Sequence, residues 1–146
     1  KETVNSVAMR LLARREHAER ELRSKLVTRG FDVSEIDECL MQLKNRGWQS
    51  DQRYASAVIN SRSQRGQGPR KIAMVLNQHQ VSTEGLSTSD IDWIKNAVDV
   101  LAKYCRNKDV SDFNTRMKAM RHVVQKGFSP EQAQLAMAKF KQIDND

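Results

Sequence analysis

Apolar residues recur every three or four positions along most of the chain, which is the spacing of one face of an α-helix. No stretch alternates between apolar and polar residues for long enough to predict a β-strand. The only two prolines, Pro69 and Pro130, follow Gly or Ser and precede runs with helical spacing, which is typical of the first turn of a helix. The clearest apolar faces comprise Val4, Val7, Ala8, Leu11 and Leu12, then Leu22 and Leu26, then Ile36, Leu40 and Leu43.

One helix occurs three times together with the residues that follow it. The pattern Leu22-x3-Leu26-x3-Gly30-Phe31 recurs as Ile72-x3-Leu76-x3-Gln80-Val81 and as Ala119-x3-Val123-x3-Gly127-Phe128. Gly30 and Gly127 stand where a helix commonly ends in a residue with positive φ, and the aromatic residue after each can fold back on the last turn. The sequence therefore predicts three copies of one helix and its exit.

The helices on either side of this one are also repeated. The preceding helix is marked by Ala8-x2-Leu11-Leu12, Ala55-x2-Val58-Ile59 and Ala97-x2-Val100-Leu101. The following helix contains Ile36, Leu40 and Leu43 in the first copy and Ala133, Met137 and Phe140 in the last, and Ser34 and Ser129 are its candidate N-caps. In the second copy the stretch from Ser82 to Asp90 is short and polar, with only Leu86 in phase, which indicates a degraded third helix.

These patterns predict an all-α fold of three tandem three-helix repeats. Each repeat buries its apolar faces against its neighbours, so we expect an elongated, curved array that presents a long edge to a partner. The expected boundaries are residues 1–48, 49–91 and 92–146. The chain has only 5% aromatic residues and 38% hydrophobic residues, which favours apolar stripes over one large central core.

The net charge of +7 is concentrated in the middle of the chain. Residues 51–80 contribute +4, because five basic residues face the single acid Asp51. A polyanionic partner and a merely solvated basic surface both fit this excess. The five basic residues are Arg53, Arg62, Arg65, Arg70 and Lys71.

The segment Gly66-Gln67-Gly68-Pro69 lies inside this basic region. It resembles a phosphate-binding loop, but it lacks the trailing Gly-Lys-Ser/Thr and no strand precedes it, so a helix-to-helix turn is favoured. Arg65, Arg70 and Lys71 flank the turn and a helix N-terminus, whose free N–H groups also favour anions. A phosphate backbone and an acidic protein groove satisfy this cluster equally well, and a solvated basic loop is the alternative.

Other charged and reactive residues predict less. Glu16 with Arg20 and Glu21 with Lys25 have the spacing of helical ion pairs. The second basic cluster comprises Arg10, Arg14, Arg15, Arg20, Arg23, Lys25 and Arg29, and the third repeat adds Lys118, Arg121 and Lys126. Trp48, Tyr54 and Trp93 are expected to pack at repeat junctions.

No constellation of residues predicts catalysis. His17, His79 and His122 lie in different repeats with no metal-ligand or triad arrangement nearby, and no nucleophile or acid pair supports an enzyme. Cys39 and Cys105 lack metal-ligand spacing, which favours a reducing compartment, and Cys39 is expected in the core. No run is apolar for long enough to predict a membrane span.

The middle of the chain resembles a known family. The stretch Asp51-x2-Tyr54-Ala55-x3-Ile59-x2-Arg62-x3-Gly66-x-Gly68-Pro69-x2-Ile72-x3-Leu76 is similar to the signature of RecX regulatory proteins. The first repeat, through Arg15-x5-Glu21-Leu22-x2-Lys25-Leu26-x3-Gly30-Phe31, resembles theirs as well, so the resemblance covers nearly the whole chain. It departs from the family at Gln80, where glycine is usual, at His17, and in the short third helix of repeat two.

The resemblance implies a cytoplasmic bacterial regulator of DNA repair that binds RecA filaments on single-stranded DNA. It would lie in the filament groove in contact with neighbouring protomers, lower ATP hydrolysis and strand exchange, and halt filament growth or promote disassembly. No cofactor, metal, membrane or small-molecule substrate is expected. The alternative is a free-standing basic helical module that binds single- or double-stranded DNA. The expected filament-binding residues are Arg53, Arg62, Arg65, Gly66, Gly68, Arg70, Lys71, Arg23, Lys25, Lys118, Arg121 and Lys126.

Overall fold

The computed structural model describes residues 2–83, 86, 88 and 90–145 of the chain. These residues form α-helices and no β-strand, which confirms the predicted all-α class. Pro69 and Pro130 open helices, as their sequence positions predict. The helices are α1 (Val4–Arg14), α2 (Glu19–Thr28), α3 (Val33–Asn45), α4 (Asp51–Gln64), α5 (Pro69–Gln78), α6 (Trp93–Tyr104), α7 (Phe113–Gln125) and α8 (Pro130–Asn145).

The three repeated helices α2, α5 and α7 end in the same hydrogen-bond arrangement. After α2, the Phe31 N–H donates to the Leu26 carbonyl and the Gly30 N–H donates to the Val27 carbonyl. This pair of bonds satisfies carbonyl groups that the end of a helix would otherwise leave without partners. The equivalent bonds run from Val81 to Leu76 and Gln80 to Asn77 after α5, and from Phe128 to Val123 and Gly127 to Val124 after α7.

The residue at the centre of each exit has a positive φ. Gly30 has a φ of 87° and Gly127 a φ of 109°, as predicted for glycine at this position. Gln80, which replaces the glycine in the second copy, also adopts a positive φ, of 54°. The exit geometry is therefore kept in all three copies, although a non-glycine residue pays a steric penalty for it.

The N-cap predictions for the third helices have different outcomes. The Ser129 hydroxyl accepts from the Gln132 N–H at 3.0 Å, while the Gln132 side chain accepts from the Ser129 N–H, so the capping box before α8 is confirmed. The prediction for Ser34 is wrong, because α3 begins two residues earlier than a Ser34 cap would place it and Asp32 is its N-cap. Ser34 lies within the first turn and donates its hydroxyl hydrogen to the Asp32 carboxylate.

The described chain divides into two compact units. The first unit comprises Lys1–Val58 and Val75–Leu86, and the second comprises Ile59–Met74 and Ser87–Asp146. Each unit therefore contains part of α4 and part of α5. The repeat boundaries at residues 48 and 91 stay a prediction.

The core of the first unit lies between α1, α2 and α3. Leu22, Leu26 and Ile36 are fully buried there, as their helical spacing predicts. Cys39 is also buried, which confirms its expected place in the core, and burial raises the pKa of its thiol. The buried members of this core are Val7, Ala8, Leu11, Leu22, Leu26, Ile36, Cys39, Leu40 and Leu43.

The core of the second unit lies between α6, α7 and α8. Phe128, the residue after the α7 exit, is fully buried and packs edge-to-face against Trp93, with ring centroids 6.5 Å apart. The sequence motif of a helix followed by an aromatic residue therefore supplies a core side chain here. The buried members are Ala97, Val100, Leu101, Cys105, Ala119, Val123, Phe128, Ala133, Ala136 and Met137.

The stretch from residue 82 to residue 90, between α5 and α6, contains no helix in its described residues, which are 82, 83, 86, 88 and 90. The predicted degraded third helix of repeat two falls here. Four of its positions, Glu84, Gly85, Ser87 and Ser89, lie outside the described residues.

The aromatic residues expected at repeat junctions do not all pack. Tyr54 is buried and lies edge-on to His79 in the first unit, at 5.9 Å between ring centroids. Trp48 is not in a core, because it is 46% exposed, and the Arg46 guanidinium lies over its ring, 5.2 Å from the ring centroid.

The glutamates expected in helical ion pairs have other partners. Glu16 accepts from the Arg53 guanidinium at 2.7 Å, not from Arg20. Glu21 pairs with Arg15 at 2.5 Å, not with Lys25. Both predictions are wrong, because Glu16 lies in the turn before α2, where helical spacing does not apply, and Arg15, which also precedes α2, engages Glu21.

A polar network joins the turn between α1 and α2 to the start of α4 in the first unit. The Asp51 carboxylate accepts from the Glu19 N–H at 2.8 Å and from the Gln49 side chain at 3.0 Å. Gln49 also donates to the His17 carbonyl. Asp51 therefore satisfies the free amide of a helix N-terminus that is distant in sequence.

The His17 ring completes this network as a neutral group. Its Nδ1 lies 3.1 Å from the Arg15 carbonyl and its Nε2 lies 3.2 Å from the Lys25 ammonium. Lysine can only donate, so Nε2 accepts and the ring hydrogen resides on Nδ1. Burial lowers the pKa of His17, and the nearby Arg15 and Lys25 charges act in the same direction.

Candidate cationic site

The glycine-rich segment between α4 and α5 is a helix-to-helix turn, as the sequence favoured. Gly66 has a φ of 85°, and its N–H donates to the Ser63 carbonyl at 3.1 Å. The Gln67 N–H donates to the Arg62 carbonyl, and the Arg62 side chain donates to the Gln67 side-chain oxygen at 2.9 Å. Arg62 thus holds the turn that follows its own helix.

The second glycine of the turn lies against the exit of α7 within the second unit. The Gly68 N–H donates to the Lys126 carbonyl at 2.8 Å, and the Arg70 N–H donates to the Gly127 carbonyl at 2.9 Å. A Cβ atom on Gly68 would lie 2.4 Å from the Gly127 carbonyl carbon, and one on Gly127 would lie 2.6 Å from the Lys71 Cβ. The two glycines therefore permit a backbone-to-backbone contact that no side chain would allow.

This contact corrects one expectation for the turn. The N–H groups at the start of α5 were expected to be free for an anion, but Gly68 and Arg70 donate theirs to carbonyls and Pro69 has none. The N–H groups of Gly68 and Arg70 are therefore not available to an anion. The glycines of the motif thus serve packing between segments, not a phosphate cradle.

Side chains from three segments meet beside this turn in a pocket of about 380 Å³. Arg65 comes from the end of α4, Lys103 from α6 and Lys126 from the end of α7. All the lining residues belong to the second unit. They are Ser63, Gln64, Arg65, Gly66, Asn96, Asp99, Val100, Lys103, His122 and Lys126.

Backbone bonds position two of these cations. Lys126 donates its N–H to the His122 carbonyl at 3.0 Å and offers its own carbonyl to Gly68. Arg65 donates its side-chain Nε–H to the Ser61 carbonyl at 3.4 Å. Within the described part of the chain, neither forms an ion pair, and Asp99, the carboxylate of the pocket, lies 3.6 Å from Lys95. The pocket is therefore electropositive.

The imidazole of His122 forms one wall of the pocket. It stacks on Tyr104, with ring centroids 4.7 Å apart and an interplanar angle of 22°. The Lys108 ammonium also contacts the Tyr104 ring, 3.7 Å from its centroid. Burial lowers the pKa of His122, and the charges of Lys126 and Lys108 lower it further. The ring is therefore neutral at neutral pH.

The remaining predicted site residues fall into two groups. Arg23 pairs with Asp37, Arg53 pairs with Glu16, and Lys25 donates to His17, so these cations are engaged within the first unit. The others are exposed and form no ion pair among the described residues. They are Arg70, Lys71, Lys118 and Arg121.

Sequence reasoning missed most residues of the pocket, among them Asn96, Lys103 and His122. Asn96 and Lys103 lie two turns apart on one helix, a spacing that many surface residues share. His122 was noted but had no visible partner. No sequence signal identifies these residues, because their proximity to Arg65 arises only from chain folding.

Metal-ligand clusters and membrane-spanning helices are both absent from the described residues. They contain no group of three or more His, Cys, Asp or Glu side chains that could hold a metal ion. No helix among them has both the length and the apolar character to cross a membrane.

The fold and the basic turn define a helical-repeat protein, and comparisons with known proteins identify its family. The model for "RecX, first three-helix domain" matches residues 6–43, and that for "RecX, second three-helix domain" matches residues 50–84. The protein named "Regulatory protein RecX" from Mannheimia succiniciproducens is 36% identical over 132 residues, which cover 86% of each chain. The protein of that name from Halorhodospira halophila is 33% identical over 98% of this chain and 91% of its own.

A solved structure shows the same fold. The crystal structure of RecX from Lactobacillus salivarius superposes with a TM-score of 0.82 over 95% of both chains, at 17% sequence identity. The chain belongs to the RecX family. Its relatives are named regulatory proteins, which favours a regulatory role over a catalytic one.

Proposed function

We propose that this chain binds RecA filaments assembled on single-stranded DNA and inhibits their recombinase activity. Family membership supports a regulatory role, and RecA is the partner that the resemblance to RecX proteins implies. The chain would lower ATP hydrolysis and strand exchange by lying along the filament and restraining its growth. The protein acts in the cytoplasm in this proposal, as a regulator of DNA repair.

The observation that carries the proposal is the exposed basic surface around the α4–α5 turn. We call the exposed residues Arg65, Arg70 and Lys71 the turn cations. None of them forms an ion pair within the described residues, whereas Arg53 and Arg23 do. Because the Gly68 and Gly127 backbones hold the turn in place, its cations are presented from a fixed support, which lowers the entropy cost of binding.

The test is the DNA-dependent ATPase activity of RecA with the wild-type chain and a triple charge reversal of the turn cations, Arg65→Glu, Arg70→Glu and Lys71→Glu. We expect the wild type to inhibit at micromolar concentration and the variant to lose inhibition while keeping its helical circular dichroism. The matched control reverses Arg14, Arg20 and Lys139, three exposed cations outside the proposed surface that form no ion pair among the described residues, and should inhibit like the wild type.

Two results would count against the proposal. A wild-type chain that neither co-sediments with RecA filaments nor inhibits them would reject the function. Full inhibition by the turn-cation variant would place the contact surface elsewhere on the chain.

Independent DNA binding is the second candidate, and the electropositive pocket of Arg65, Lys103 and Lys126 favours it. Binding to naked DNA should then weaken with salt, with a slope of about −0.7 per contacted phosphate on single strands. Tight binding that RecA leaves unchanged would support this function. Weak binding to naked DNA with strong filament inhibition would support the first.

A further inference from the structure

The pocket beside the glycine turn combines two kinds of surface. Arg65 and Lys103 are exposed cations at its edge, and the half-buried Lys126 lies beside them. Val100, which is 7% exposed, and the neutral ring of His122 supply apolar and planar surface. A ligand that fits must therefore carry negative charge at one end and a flat, weakly polar group at the other.

The pocket's charge is not balanced from within. Asp99 is its carboxylate, and Lys95 lies 3.6 Å from it on the next turn of α6. The pocket thus has three cations and one carboxylate, and that carboxylate already has a partner. Such a site binds a multiply charged anion more strongly than it binds a singly charged carboxylate group. A phosphate group meets this requirement.

The volume and the lining residues of the pocket favour a ligand larger than inorganic phosphate. The volume of about 380 Å³ is in the range of small-molecule sites, which begin at roughly 300 Å³. A lone phosphate would leave the His122 ring, which lines the pocket, uncovered. The amide of Asn96 and the side chain of Gln64 add donors and acceptors suited to a sugar or a base edge.

We propose that this pocket binds a nucleoside phosphate, with Arg65, Lys103 and Lys126 holding the phosphate and the base lying against Val100 and His122. The nucleotide is either free in solution or one unit of a single strand, and the recognition chemistry is the same. Bases stack on aromatic side chains in single-strand-binding proteins, so the His122 ring adds affinity beyond that of the charges. The inference does not rest on RecA binding.

The test is an NMR titration of the full chain with adenosine triphosphate, adenosine, inorganic phosphate and a short oligothymidylate, in separate arms. We expect the amide signals of Gly66, Asn96 and Lys126 to move, while that of Gln134 on α8 stays in place. Adenosine and inorganic phosphate alone should bind more weakly than the nucleotide. Saturation by adenosine triphosphate indicates a free nucleotide, and a response to the oligothymidylate alone indicates a strand.

Lysine variants separate the pocket from general basicity. Lys103→Gln and Lys126→Gln should each weaken binding about tenfold or more, because each loses a charge-assisted hydrogen bond. Lys139→Gln removes the same charge from an exposed position on α8 and should leave the affinity unchanged. Circular dichroism checks that all three variants fold.

The proposal is overturned if none of the probes moves the pocket amides. It is also overturned if Lys103→Gln and Lys126→Gln weaken binding no more than Lys139→Gln, or if adenosine binds as tightly as adenosine triphosphate. Because no arm contains RecA, these outcomes are independent of the filament experiment.

Discussion

Gly68 and Gly127, which are 59 positions apart, meet backbone to backbone, and a Cβ on Gly68 would lie 2.4 Å from the carbonyl carbon of Gly127. The hydrogen bonds from Gly68 to Lys126 and from Arg70 to Gly127 close the contact. The turn after α4 and the exit of α7 thus support each other, and the pocket lies beside them. Gly68 of the sequence signature and Gly127 after α7 are required by this close approach.

Gly68→Ala should therefore destabilise the fold severely. The new methyl group would overlap backbone atoms, which cannot move aside as a flexible side chain can, so we expect a loss of about 3 kcal/mol or more in the free energy of unfolding. Urea denaturation measures it. Gly47→Ala is the control, since no atom lies within 4 Å of its Cβ position and only its φ of 75° opposes alanine, at a cost of about 1–2 kcal/mol. An equal loss in both variants would contradict the steric argument.

Gln80→Gly should stabilise the fold. Gln80 has a φ of 54°, where a side chain costs about 1–2 kcal/mol, and the added freedom of glycine in the unfolded chain offsets roughly 0.5–1 kcal/mol of the gain. We expect a net increase of about 0.5 kcal/mol, read from the midpoint of thermal unfolding. Asn107→Gly is the matched control, because asparagine tolerates its φ of 64° and the change should add little. A lower midpoint for Gln80→Gly would refute the prediction.

Leu26→Ala and Leu76→Ala should each cost about 2–5 kcal/mol of unfolding free energy. Both side chains occupy equivalent places in the repeated helix and are at most 1% exposed. Removing them leaves cavities that the packed neighbours fill only in part. Leu135→Ala removes the same atoms from a side chain that is 56% exposed, so it should change stability much less. Similar losses in all three variants would mean that burial does not set the cost.

Acidification should destabilise the protein below about pH 6.5, which is the ordinary pKa of histidine. The pKa of His17 is lowered in the folded chain, so the unfolded chain binds the proton more readily. The contribution of neutral His17 to the free energy of unfolding is therefore fully present above the pKa of histidine in the unfolded chain. It is lost as the pH falls through the lower pKa of His17 in the folded chain. His17→Gln should flatten the dependence of unfolding free energy on pH in this window, and His122→Gln should remove the similar contribution of the second histidine. An unchanged slope in both variants would exclude these two rings as its source.

Helix periodicity and the repeated exits could be read from the sequence because both depend on neighbouring residues. Leu22 and Leu26 share a face through local geometry alone, and Gly30 adopts its positive φ through bonds within six residues. The Gln80 position followed from alignment with two glycines, and the structure confirms its geometry. Family membership was recognisable for the same reason, since the signature spans one helix, its turn and the next helix.

Partners distant in sequence could not be read in this way. Helical spacing predicted that Glu16 would pair with Arg20, but Arg53 reaches it instead. The glycine turn was expected to offer N–H groups to an anion, but the carbonyl groups of Lys126 and Gly127 accept hydrogen bonds from two of them. The position of Lys103 beside Arg65 could not be predicted, because no sequence pattern links the two residues.

Local hydrogen bonding and side-chain periodicity thus specify the helices, their repeated ends and the family of this chain, since each acts over a few residues and leaves a pattern in the amino acids. The contact between Gly68 and Gly127 and the convergence of Arg65, Lys103 and Lys126 arise only when separate segments pack together. Their physical origin is the burial of apolar faces, which brings distant backbones and charges within reach but prescribes no spacing along the chain.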